Sequence, residues 1–337
     1  RLAQTNKQLG NYEEAIRYFK LYQKEEPGDD RIELMIEGCE NALVWKEEKS
    51  RYTVESFKPA NDKKADDFSP VWADRKNKSI MFTSDRSEGN VSKGKYDRTL
   101  RGFTDVWQVK QAGSRGQVKW GEPELVEGLN TKYNDGTVTF NSRKSKMYVT
   151  QCNGVNGKEP KCKIYEARKA GKGWQMNPDP LSFCAGEGNN RWNYGHPVLA
   201  DKDKTMYFAS DRPGGYGDTG VLEKTKDIWM VTFVRRGRTW SEPVNLGPAI
   251  NTTGNEMFPY VHTDGTLYFS SDGHPGLGAL DIFESRKDGE GPMDWSDPSN
   301  MKSPVNSGGD DFGIIMDATK EHGFFTSNRT KNQDDIF

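Results

Sequence analysis

The chain has 337 residues, with 48 Lys and Arg against 50 Asp and Glu and a formal net charge of −2. That balance excludes the concentrated basic surface that nucleic-acid binding needs. Hydrophobic residues make up only 33% while glycine and proline number 35 and 16, which suits many short strands joined by many turns. No apolar run approaches the length of a membrane-spanning helix, and no signal peptide is visible, although the sequence opens in mid-helix.

Residues 1–49 read as helices. Leu9, Tyr12, Ala15, Ile16, Phe19 and Tyr22 fall at helical spacing, Pro27-Gly28 stops that helix, and Asp29 or Asp30 offers a cap for the next one. Leu9-Gly10-Asn11-Tyr12-Glu13-Glu14-Ala15-Ile16 with Phe19 and Pro27 resembles a tetratricopeptide repeat. The resemblance implies further helical units or packing on a neighbouring domain, because one such unit is unstable alone.

From residue 50 alternation replaces helical spacing, and one phrase recurs: an apolar strand, a small polar triplet, a glycine-rich loop, then Asp-Ile-aromatic. It reads Ile80-Met81-Phe82-Thr83-Ser84-Asp85-Arg86 with Asp105-Val106-Trp107, and Met206-Tyr207-Phe208-Ala209-Ser210-Asp211-Arg212 with Asp227-Ile228-Trp229. Further copies are Leu267-Tyr268-Phe269-Ser270-Ser271-Asp272 with Asp281-Ile282-Phe283, and Phe324-Phe325-Thr326-Ser327-Asn328-Arg329 with Asp335-Ile336-Phe337. Met147-Tyr148-Val149-Thr150-Gln151-Cys152 with Lys163-Ile164-Tyr165 is a degenerate copy. Copies roughly sixty residues apart, each with four strand-like pieces, predict a radial array of small antiparallel sheets.

The expected fold is therefore mainly β, a five-bladed β-propeller over residues 50–337 preceded by the helical segment 1–49, with six blades as the alternative. The last copy lacks a fourth strand, and the alternating stretch Tyr52-Thr53-Val54-Glu55-Ser56-Phe57 is expected to supply it and seal the ring.

Phe208-Ala209-Ser210-Asp211-Arg212-Pro213-Gly214-Gly215 with Asp227-Ile228-Trp229 resembles the WD40-like PD40 repeat of periplasmic propellers. Helical repeat followed by PD40 propeller resembles the front half of OmpA-family envelope proteins of the type IX secretion machinery. The resemblance implies a periplasmic, outer-membrane-associated scaffold whose partners are other envelope or secretion-complex proteins. Peptidoglycan contact would then lie only in domains outside this chain.

Candidate sites follow from the repeat. An Asp or Asn recurs four residues before the first-strand proline or its equivalent, at Asp66, Asn134, Asn193, Asn255 and Asp310, and should ring one channel mouth. Such a ring could bind a cation or a peptide, or simply cap the turns entering each strand. Arg86, Arg212 and Arg329 close the second strands, where they could read a carboxylate or pair with Asp105, Asp227 and Asp335. Tyr96, Arg101, Phe103 and Tyr216 on long loops, with Trp192, are candidates for partner contact or for packing on the ring. Cys152 and Cys162 bracket a hairpin-like loop, and a disulfide between them would imply an oxidising compartment; two unpaired thiols are the alternative.

The expected function is non-catalytic, with no cofactor and no metal site. No nucleophile elbow, phosphate loop or zinc motif is present, and His196, His262, His274 and His322 are scattered among blades. The alternative is a five-bladed propeller glycoside hydrolase or glycan-binding module, drawing an acid–base pair from Asp66, Asp67, Asp135, Glu256, Asp310 and Asp311.

Overall fold

The computed structural model describes residues 1–337 apart from 30, 49, 97–98, 114–117, 154–160, 218–224 and 331–332. Three helices come first: α1 (Leu2–Gln8), α2 (Tyr12–Glu25) and α3 (Arg31–Trp45). Asp29 accepts the Arg31 N–H at the start of α3; Asp30 lies outside the described residues. Ala15 and Phe19 of α2 meet Ile36, Cys39 and Ala42 of α3 in an apolar cluster that also takes in Leu277 from the β region. Gly38 permits that seating, since a Cβ there would come within 2.7 Å of the Gly276 backbone.

Five antiparallel sheets follow, each built from strands adjacent in sequence. The chain is a five-bladed β-propeller. First strands are Asp67–Trp72, Asn134–Phe140, Tyr194–Ala200, Glu256–Val261 and Asp311–Met316, and they define blades I to V. Second strands (Ser79–Ser84, Lys146–Asn153, Thr205–Ser210, Leu267–Ser271, Gly323–Ser327) carry the recurrent apolar phrase and are the most deeply buried. Third strands open on Asp105, Asp227, Asp281 and Asp335, and on Lys161 in blade II. Rings and aliphatics of neighbouring blades interlock between the sheets. Tyr148 and Ile164 of blade II, for example, pack with Phe208, Trp229 and Trp240 of blade III.

A second recurrent device fixes the outer edge of four blades, all but blade II. Asn130, Asn251 and Asn306 each accept the N–H and donate to the carbonyl of the apolar residue in Asp-apolar-aromatic, namely Val106, Ile228 and Ile282. In blade V the same pair of bonds to Ile336 comes from Asn61, on the segment ahead of blade I. Phe57 N–H also donates to Ile336 O at 2.8 Å, and its ring meets Phe324 and Trp120. No strand is assigned to residues 52–57, yet Tyr52 and Val54, like Phe337, pack against the cluster containing Phe325.

All five first strands carry a register shift at the same place, between Phe68 and Val71, Asp135 and Val138, Gly195 and Val198, Met257 and Tyr260, and Phe312 and Ile315. The residues in left-handed conformation there are Ser69, Gly136, His196, Phe258 and Gly313. Pro70, Pro197 and Pro259 follow three of them, as expected where a bulge releases an N–H from the ladder.

Candidate active site

First strands line the central channel, so the residues that introduce them surround one mouth. Asp66, Asn134, Asn193, Asn255 and Asp310 stand there. Each Oδ1 accepts a main-chain N–H from the preceding blade: Asp334 to Asp66 at 3.0 Å, Thr104 to Asn134 at 3.1 Å, Cys162 to Asn193 at 3.1 Å, Lys226 to Asn255 at 3.2 Å and Leu280 to Asp310 at 3.1 Å. At four seams the next residue returns the bond: Asp67, Asp135, Glu256 and Asp311 donate to the carbonyls of Asp334, Thr104, Lys226 and Leu280. The ring of Asx side chains joins blade to blade. The acidic residue after the second strand holds it from behind, since Asp85, Asp211 and Asp272 accept the N–H of Asp66, Asn193 and Asn255, and Asn328 that of Asp310.

The carboxylates one position further in are wholly buried and bound within their own blades. Asp67 pairs with Arg86 and Asp311 with Arg329. Asp135 accepts from Gln151 and Thr131, and Glu256 from Ser271 and Thr252. The arginines thus turn inward to the first strand rather than outward to Asp105 and Asp335. The carboxylates of Asp105 and Asp227 instead accept loop N–H groups from Val91 and Tyr216. In blade III the inner carboxylate position is Tyr194, and Arg212 lies over the Trp229 ring at 4.7 Å, donating to Pro243 O.

The loop candidates divide. Tyr96 and Phe103 pack on each other with ring centroids 5.8 Å apart, Tyr216 is exposed, and Trp192 packs against the blade II–III core. Arg101 alone enters the mouth, with Nε 3.0 Å from Asp66 and 2.6 Å from Asp85. Cys152 and Cys162 face each other across the second and third strands of blade II and are joined as a disulfide; Cys39 and Cys184 are buried free thiols. His196 Nδ1 accepts the Phe258 N–H, and among the described residues no group of three or more His, Cys, Asp or Glu is placed to hold a metal ion.

One carboxyl at this mouth is uncommitted, and sequence reasoning did not single it out. Asp334 sits at the seam of blades V and I, and among the described residues no hydrogen bond or ion pair reaches its carboxyl group, although its N–H and C=O both serve the latch. Burial and the neighbouring carboxylates Asp66 and Asp310 push it up to about 7, with Arg101 opposing. Burial also raises Asp66, which is held back by the Asp334 N–H and by Arg101. The two carboxyls thus lie in unequal environments: Asp66 is paired with Arg101, and Asp334 is not.

The fold and this mouth define a five-bladed propeller with an acidic seam. Among solved structures, the chain is similar to a protein described as a glycoside hydrolase (TM-score 0.57, 13% identity, 87% of this chain and 92% of that one). It is also similar to a thermostable family-43 glycoside hydrolase (0.52, 13%, 84% and 91%) and to a protein described in a complex with RGII (0.57, 12%, 87% and 92%). No family model matches the sequence, and no curated protein does. These findings correct the expectation of a non-catalytic type IX secretion scaffold. Solved folds that align over most of the chain include hydrolases, and nothing matched supports the tetratricopeptide, PD40 or OmpA-type reading. The expected secretion-complex partners and protein-transport role fall with it. At 12–13% identity the likeness itself establishes the fold.

Proposed function

We propose that the chain is a glycan-processing propeller whose hydrolytic site is the acidic seam between blades V and I. The observation that carries this reading is the Asp334 carboxyl, which no hydrogen bond or ion pair reaches among the described residues and which burial and neighbouring carboxylates push up to about 7. A carboxylic acid in that state can protonate a glycosidic oxygen as the bond to the anomeric carbon breaks. Asp66, oriented by Arg101 and the Asp334 N–H, supplies the partner carboxylate. It takes a proton from the attacking water, so the sugar gains OH and the leaving oxygen gains H. The described hydrolases with the same fold add support. The Cys152–Cys162 disulfide supports an oxidising compartment, in keeping with a periplasmic location.

The test is turnover of an oligosaccharide panel by the whole chain and by Asp334→Asn. Hydrolysis reduced about 10²–10⁴-fold in the variant, at an unchanged melting temperature, is expected. A wild type that cleaves nothing, or a variant as active as wild type, overturns the reading. Where turnover exists, kcat/KM should fall as pH rises through about 7, because the acid must carry its proton.

A further inference from the structure

Between blades II and III lies a groove of about 600 Å³, open to solvent and apart from the channel. Lys146, Glu166 and Arg168 line it from blade II, and Phe233, Arg235 and Arg238 from blade III. Lys146 begins the strand whose Cys152 pairs with Asn134 of the mouth. A strand rise of about 3.3 Å per residue therefore puts the groove about 20 Å from the acidic face.

Four cations meet one carboxylate here, a local excess in a chain of net charge −2. Glu166 is already committed, accepting from Lys146 Nζ at 2.9 Å and from Arg168 Nε at 2.9 Å. That pairing orients Arg168, whose side chain is 72% exposed, and leaves its terminal N–H groups for a ligand. Arg235 and Arg238 are exposed, and among the described residues no hydrogen bond or ion pair engages either side chain.

The neutral groups of the groove are donors too. Ser182 Oγ and Thr239 Oγ1 lie 2.8 Å apart across the two blades, so one donates to the other and one hydroxyl proton remains. Asn177 accepts the Asp179 N–H at Oδ1, which leaves its Nδ2 hydrogens to donate. A surface of spare donors built round three guanidinium groups selects a ligand rich in anionic oxygens, because each planar fork can take both oxygens of a carboxylate. Phe233 is 37% exposed and packs edge-on against Trp240 with centroids 5.3 Å apart, so an apolar ring stands beside the charges.

We propose that this groove anchors an acidic polysaccharide, with uronate carboxylates on Arg168, Arg235 and Arg238 and a sugar face on Phe233. The preference for carboxylates rests on the groove alone; that a sugar chain bears them rests on the glycan reading proposed above. With Glu166 held by Lys146 and Arg168, the groove binds without cleaving.

Isothermal titration calorimetry of the whole chain tests it, with a galacturonate oligomer, a neutral glucan oligomer of equal length and a glutamate oligomer of equal charge. Saturable binding of the galacturonate is expected, about tenfold tighter than either comparison and weaker as salt is raised. Arg235→Ala combined with Arg238→Ala should weaken it about tenfold at an unchanged melting temperature, and Arg235→Ala alone about threefold if the pair does not fold. Asp334→Asn should bind the oligomer like wild type, and the double arginine variant should keep any hydrolysis the wild type shows, so the groove and the seam can fail separately. Absence of saturable binding, equal affinity for the glucan or the glutamate oligomer, or binding untouched in the folded arginine variants would overturn the assignment.

Discussion

Arg86, Arg212 and Arg329 occupy one repeat position, but only Arg86 and Arg329 pair with a buried aspartate. Arg86 and Asp67 form a pair in which the side chains are 10% and 0% exposed. Removing one member leaves a buried charge without its partner, so Arg86→Ala should cost about 3–5 kcal/mol in urea unfolding. Arg212 faces an aromatic ring and a carbonyl instead of a carboxylate, so Arg212→Ala should cost only about 1 kcal/mol in the same measurement. The comparison separates the repeat as written in sequence from the pairing that packing creates. Sequence showed that an Asx recurs at the channel mouth, but its acceptor role depends on an N–H one blade away. Asp334 was hidden for the same reason. Asp334-Asp335-Ile336 reads as the ordinary repeat phrase, and the carboxylate that perturbs it, Asp66, lies 268 residues earlier.

At the scale of elements, strand identity was legible because Phe-x-Ser-Asp and Asp-Ile-aromatic mark the second and third strands directly. The bulged first strands were only half legible: Pro70, Pro197 and Pro259 mark three, while Gly136 and Gly313 mark the others by backbone freedom alone. The Asn that clips the outer edge was overlooked, although Leu129-Asn130-Thr131, Ile250-Asn251-Thr252 and Val305-Asn306-Ser307 repeat as clearly as any other phrase. Asn61 makes the corresponding bonds for blade V, four residues beyond the segment 52–57 that we propose seals residues 50–337 into one unit. Phe57→Ala, which removes ring contacts to Phe324 and Trp120, should cost about 2 kcal/mol and speed amide exchange selectively at Thr326 and Ile336.

For the whole molecule, the buried carboxyls set how stability responds to pH. Burial pushes Asp135 and Asp281 up to about 7 and Glu256 to about 8. An unfolded chain holds such groups near 4. The native state therefore binds more protons between those limits, and stability is lost as pH rises from about 4 to about 8. The melting temperature should be higher at pH 5 than at pH 8, and Glu256→Gln should flatten that slope. A melting temperature that rises over this interval would contradict the assignment of these groups as protonated.

The helical hairpin touches the propeller through Gly38 on Gly276, Leu277 in its apolar cluster and Gln8 beside Gly308, all on loops of blades IV and V. Those loops belong to the two blades before the seam that holds Asp334, and among the described residues no α-helix packs on blades I to III. On the hydrolytic reading proposed above, a long glycan would approach the acid from the side of blades I to III, and those blades would meet the flanking sugars.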